Sequence, residues 1–261
     1  MIGKPGVILA GALILSAPPI AFGGTSASGG APPAGRMIDL AVGSEKIHGY
    51  LALPKGQGPN PAMVVIHEWW GLNDQIKGVA DRLASHGYVA LAPDLYRGKV
   101  TDKPEMANEL LRALPDARAT GDVGAAFAYL RALPAVGSKP IGSIGFCMGG
   151  GLSLRLALSE PRLAACVVCY GRPETDAEKL KAIAAPVLGI YGGQDKGIPA
   201  DMLELFKKGM EKAGRSLDLH VYPEAGHGFM NAGIPSHRPD DTKASWELID
   251  AFLAKILIVK P

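Results

Sequence analysis

The sequence predicts an α/β protein, a mostly parallel, twisted sheet with helices on both faces. Three observations lead there. Short apolar runs alternate with stretches of helical periodicity along nearly all of the chain beyond residue 36, the pattern of strands joined by crossover helices. Runs such as "AMVVIHE" and "PVLGIYG" are continuously apolar, as strands covered on both faces are. Finally, 261 residues with 48% hydrophobic and 20% charged side chains are enough for one large core.

Taken in order, "RMIDLAV" and "KIHGYLALP" read as an opening hairpin around Gly43-Ser44. "AMVVIHE" is a buried strand. Ile76, Val79, Ala80, Leu83 and Ala84 then share one helical face, which Gly87 ends. "YVALAP" is the next strand, Ala125 to Leu133 closes a helix, and "PIGSIGF" leads to Cys147 and a helix through Leu158. "AACVVCY" and "PVLGIYG" follow, then a helix from about Pro199 to Ala213, the strand "LDLHVYP", and a last helix from about Asp240 to Ile256. No internal repeat is visible.

The first residues differ in kind. Lys4 precedes the apolar run Gly6 to Ala17, Pro18 and Pro19 break it, and Ala21-Phe22-Gly23 offers small residues for cleavage. That order is a secretory signal peptide over residues 1–23, too short to span a bilayer comfortably, although an uncleaved anchor is the alternative. "GGTSASGGAPPAG" has linker composition, so a flexible linker over 24–36 and a folded domain over 37–261 are expected. The mature protein is then periplasmic or secreted, with no membrane association after cleavage. A formal net charge of +2 without any block of like charges gives no nucleic-acid footprint. The oligomeric state is not encoded in any visible pattern, and a monomer is the expectation.

Cys166 and Cys169 resemble a redox pair, yet residues three apart on a strand point to opposite faces, so two buried core thiols are expected instead. Cys147 is different. "GFCMGG" follows an apolar strand and precedes a helix, which fits a sharp elbow that lifts a nucleophile above the sheet. The sulfur then sits at a helix N-terminus, where the dipole favours a thiolate, and the N–H of Met148 faces a developing oxyanion. The competing reading is a structural cysteine beside packing glycines. Asp195, just beyond "PVLGIYG", and His227, just beyond "LDLHVYP", tip the balance. The order nucleophile, acid, base with each group at a strand end gives His227 as base and Asp195 as the residue that orients it. After "AMVVIHE" come Glu68, which could hold the thiol's proton or repel its thiolate, and Trp69, whose N–H is the second expected oxyanion donor. Trp69 and Trp70 are either core or the wall of an apolar substrate pocket.

With these residues in place the chain closely resembles the dienelactone hydrolase family of the α/β-hydrolase fold. The likeness rests on "HEWWGLNDQIKGVADRLASHGYVALAPDLYRGK", "GFCMGG", "YGGQD" and "AGHGF", and covers roughly residues 37 to 257. It implies a Cys147-His227-Asp195 triad, a Glu68 that modulates the thiol, oxyanion donors at Trp69 and Met148, and no metal or organic cofactor. It also implies a small-molecule ester or lactone as substrate. Two places depart from the family pattern. Classical members hold a substrate carboxylate with arginines, one of them four residues after the catalytic histidine, where this chain has Asn231; the other has no counterpart in "TDKPEMANELL". Trp70, Asn231 and Arg238 are therefore the candidate substrate contacts, with Arg112 and Arg172 as further possible replacements, and uncharged substrates are expected to be accepted. The expected activity is exported hydrolysis of a carboxylic ester or lactone through a thioester at Cys147. A non-catalytic ligand-binding protein and a thiol acyltransferase or peptidase on the same fold are the rivals.

Overall fold

The computed structural model describes Met1, residues 34–56 and residues 58–258. Apart from Met1, the expected signal peptide lies outside the described residues, as does the expected linker up to residue 33. The chain opens with strands β1 (Arg36–Val42) and β2 (Glu45–Ala52). There follow β3 (Ala62–Ile66), α1 (Asp74–Ser85), β4 (Val89–Pro93), α2 (Pro104–Arg112), α3 (Asp116–Ala132) and β5 (Ile141–Phe146). The second half runs α4 (Met148–Ser159), β6 (Ala165–Cys169), the single turn α5 (Ala177–Leu180), β7 (Val187–Gly192), α6 (Ala200–Lys212), β8 (Leu217–Tyr222) and α7 (Pro239–Leu257).

The eight strands form one sheet in the order β1-β2-β4-β3-β5-β6-β7-β8. β2 pairs antiparallel with β1 and β4, and every other pairing is parallel. The opening hairpin closes through the two residues between paired Val42 and Glu45, with Gly43 at φ +59°, the left-handed conformation such tight turns require. Alternation along the buried strands sends side chains into two cores. Val64 and Ile66 meet Val123, Phe127 and Leu130 of α3, Leu154 of α4 and Phe206 of α6 on one face. Met63 and Val65 meet Ile76 and Leu83 of α1 and Ile249 and Leu253 of α7 on the other. The same alternation puts Cys166 in the first core and Cys169 in the second, each fully buried. They cannot bridge, because their side chains leave opposite sides of the sheet.

Two helices extend the reading made from sequence. α3 runs from Asp116, well before the closing segment Ala125 to Leu133 read from sequence, and its earlier half breaks the apolar stripe: Asp122 occupies a fully buried position, where it receives two hydrogen bonds from the Arg97 guanidinium at 2.6 and 3.1 Å. Paired in this bidentate way, a buried carboxylate is tolerated, and it ties the loop after β4 to α3. α2 buries only Ala107 and Leu110, too few to make a pattern.

The chain passes from β3 to β4 on one side and returns to place β5 on the other side of β3. Ligands bind at such a reversal, outside the carboxyl ends of the strands. Glu68 and Cys147 lie just beyond those two ends.

Candidate active site

The elbow after β5 is made by backbone meeting backbone. A Cβ on Gly145 would sit 1.9 Å from the Gly149 carbonyl oxygen, and one on Gly149 would sit 2.3 Å from the carbonyl oxygen of Ile66. α4 can therefore seat directly on the end of β3 only because both positions lack side chains. Cys147 takes up the turn with φ +54° and ψ −117°, a strained conformation for a residue with a Cβ. Its N–H bonds the Cys169 carbonyl at 3.0 Å, and its own carbonyl accepts from Gly150 at 3.0 Å. The result is a partly exposed sulfur at the start of a helix.

His227 and Asp195 arrive from the loops after β8 and β7. Nε2 of His227 is 3.0 Å from the Cys147 Sγ, and Nδ1 is 2.7 Å from Asp195 Oδ2. The other carboxylate oxygen of Asp195 accepts the N–H groups of Gly197 at 2.8 Å and Ile198 at 3.2 Å. Burial alone would raise the Asp195 carboxyl, but His227 and these two amides outweigh it and hold it below the usual range. Burial opposes charge on His227 as well; its bonds to Asp195 and Cys147 prevail and push it up to about 10. The imidazole thus keeps its proton through the neutral range, placed to hand it to a leaving group.

Glu68 is 2% exposed and lies near His227 and Tyr170. Its Oε2 accepts from the Asn231 amide, and it makes no hydrogen bond to Cys147. Burial is the main reason its carboxyl rises from an ordinary 4.5 to about 7, against the lowering effect of Asn231, Tyr170 and His227. Of the two roles open to Glu68 from sequence, holding the thiol's proton is not the one seen, since the sulfur's partner is His227.

A cavity of about 830 Å³ opens over Cys147 and His227. Its lining combines apolar residues (Trp69, Leu111, Leu114, Met148, Leu158 and Ile198) with charged ones (Asp116, Arg155, Arg172 and Glu174). The three expected substrate contacts fall elsewhere. Trp70 packs on Trp69 with ring centroids 4.8 Å apart and does not border the cavity. Asn231 is 3% exposed and engaged with Glu68, so a position expected to meet substrate instead supports a carboxyl group. Arg238 turns to Asp241 at the start of α7. Of the further arginines considered, Arg172 borders the cavity and Arg112 does not. Tyr170, which borders the cavity at the end of β6, was not singled out by sequence. The available signal was a hydroxyl-bearing aromatic at a strand's carboxyl end.

The three thiols are unequal in a way that labelling can read. Cys147 is partly exposed, whereas Cys166 and Cys169 are completely buried, and burial pushes the Cys166 thiol up to about 11 and Cys169 upward as well. Since the thiolate is the reactive form, mild iodoacetamide should alkylate Cys147 alone, with activity falling in step. Peptide mass spectrometry places the label; equal labelling of all three would contradict this geometry.

Known proteins resemble this chain in sequence and fold. The model of the dienelactone hydrolase family matches residues 47–257. A Methylorubrum extorquens protein provisionally named carboxymethylenebutenolidase is 36% identical over 215 residues, 77% of this chain and 74% of that protein. A provisionally named dienelactone hydrolase of Klebsiella pneumoniae superposes with a TM-score of 0.76 at 30% identity, covering 85% of this chain and 99% of its own. A dienelactone hydrolase-like promiscuous phosphotriesterase from metagenomic libraries does so with 0.78 at 25% identity, covering 87% and 99%. A cysteine at the elbow, bonded to a histidine that is bonded to a buried aspartate, on this sheet and with this likeness, is a cysteine-based ester or lactone hydrolase, and the chain belongs to the dienelactone hydrolase family.

Proposed function

We propose that the enzyme opens activated esters or lactones, of which the substrate need not carry a carboxylate, through a thioester on Cys147. The observation that carries this reading is the continuous chain Cys147 Sγ, His227, Asp195, with hydrogen-bond distances of 3.0 and 2.7 Å, facing a cavity lined in part by apolar residues. The Cys147 thiolate attacks the carbonyl carbon, a C–S bond forms, and the carbonyl π electrons move to oxygen. The amides of Met148 and Trp69, neither of which has an acceptor among the described residues, are the donors proposed for that oxyanion. Collapse of the tetrahedral adduct breaks the C–O bond, and the alkoxide or enolate leaves with the proton of His227. His227, now neutral, takes a proton from water as the hydroxide adds to the thioester; a second collapse releases the acid and restores the thiolate beside the imidazolium.

Support for uncharged substrates comes from Asn231 and Arg238, which are both engaged within the protein. The test is a panel of short-chain aryl esters and lactones, each uncharged or bearing a carboxylate, with acid-quenched enzyme searched for an acyl group on Cys147. Turnover of the uncharged members and a Cys147 adduct are expected. Turnover no better than that of Cys147→Ala would reject the thioester route. A hundredfold preference for carboxylates would reject the substrate reading and point to Arg172 or Arg155, the two arginines that line the cavity.

A further inference from the structure

Tyr170 sits immediately behind the reacting groups, and two features of it are unfavourable. Its backbone has φ +40°, in the left-handed region that residues other than glycine avoid. Its hydroxyl is buried and has no hydrogen-bond partner among the described residues, an arrangement native proteins rarely leave without a reason. The ring itself is well placed: it meets His227 edge-on at 5.4 Å and Phe229 at 5.8 Å. Phenylalanine would fill that space without an orphaned donor. The hydroxyl therefore calls for a partner that is an acceptor only part of the time.

Glu68 is such a partner. Asn231 occupies its Oε2, and its Oε1 accepts no hydrogen bond. The carboxyl lies close enough to influence Tyr170 directly, although a full hydrogen bond does not close in the geometry seen. The groups that face Glu68 come from two elements: Tyr170 and Cys169 from the end of β6, and His227 and Asn231 from the loop after β8. Among the described residues, no lysine or arginine is bonded to it.

We propose that Tyr170 is a positioning residue whose hydroxyl donates to the Glu68 carboxylate when Glu68 ionises, and so sets the pH at which charge appears near His227, the partner of Cys147. The proposal rests on the cysteine mechanism above. It makes Glu68 and Tyr170 one unit. With Glu68 protonated the phenol is idle; with Glu68 ionised the phenol stabilises the charge and shares in holding it away from the sulfur.

The test is the pH dependence of kcat/KM for an activated aryl ester in four proteins: wild type, Tyr170→Phe, Glu68→Gln and the double variant. Because the hydroxyl favours the ionised carboxylate, its loss should move the inflection carried by Glu68 upward by about one pH unit. Glu68→Gln should abolish that inflection, and adding Tyr170→Phe to it should change nothing further in the profile. An unmoved inflection in Tyr170→Phe, a shift that persists without Glu68, or an inflection that survives Glu68→Gln would each overturn the proposal. The rate of Cys147 alkylation by iodoacetamide, followed across the same pH range, reads the same inflection without ester turnover. Failure of the ester mechanism and failure of the Tyr170–Glu68 unit are thereby separable.

Discussion

Cys147→Ala is expected to cut kcat/KM for an activated ester by about ten-thousandfold or more, and His227→Ala by a similar factor, while the double variant is hardly worse than either. The reason is geometric. Cys147 and His227 touch at 3.0 Å and serve one cycle, the thiolate attacking carbon while the imidazolium hands its proton to the leaving group, so removing one leaves the other without work. Neither change opens a cavity in the core, because the sulfur is only partly buried and the imidazole lines the substrate cavity. The thermal melt of Cys147→Ala should therefore stay near wild type, which separates loss of chemistry from loss of fold, whereas His227→Ala also takes the partner from buried Asp195 and should melt lower. Multiplicative losses in the double variant, or appreciable turnover by Cys147→Ala, would be incompatible with the two acting as one unit.

The second large effect is on stability, and it comes from Glu68. Its carboxyl rises on folding from 4.5 to about 7, chiefly through burial. Between those values the folded protein holds a proton that the unfolded chain has released, so stability falls as pH rises through this window and stays reduced above it. The difference amounts to about 3 kcal/mol above neutrality and about 1 kcal/mol at pH 5. Glu68→Gln removes the ionisation but keeps an oxygen to accept from Asn231. The variant should melt roughly 6 to 10 °C above wild type at pH 8, with a much smaller gain at pH 5. Melting curves at the two pH values decide the matter: equal shifts would mean that Glu68 does not titrate on folding in this range. An enzyme that keeps such a residue accepts lower stability for function.

The triad was legible in the sequence because each member stands one to five residues beyond the carboxyl end of a strand, two of those strands being almost continuously apolar and so among the least ambiguous segments of an α/β chain. Cys147, Asp195 and His227 follow β5, β7 and β8 in that way. What escaped was of another kind. The partnership of Asn231 with Glu68 spans 163 residues and leaves no local trace, so Asn231 was expected to meet substrate instead. Tyr170 was hidden inside "CVVCYG", where an aromatic residue reads as core; its ring is core, and only the unsatisfied hydroxyl and the backbone angle distinguish it. The first half of α3 was obscured by Asp122, a charge on a buried face that makes sense only once Arg97 is seen beside it. α2 was missed for the plain reason that it buries two residues.

The seat of α4 on the strand ends has a mechanical consequence. Gly149 rests on the backbone of Ile66 and His67, and Gly150 and Gly171 leave no room between them for a side chain. Three segments, those carrying Glu68 and Trp69, Cys147 and Met148, and Tyr170 and Arg172, thus form a joint with no compressible material in it. A side chain can change rotamer under load; a backbone-to-backbone contact cannot. Leu111 and Leu114, on the cavity wall, belong to α2 and the turn after it, which the joint does not include. Mutations there can reshape the space offered to a substrate while the distances between sulfur, imidazole and amides hold still. On this frame the choice of substrate and the chemistry can drift independently, as they must if one catalytic centre is to serve esters of many shapes.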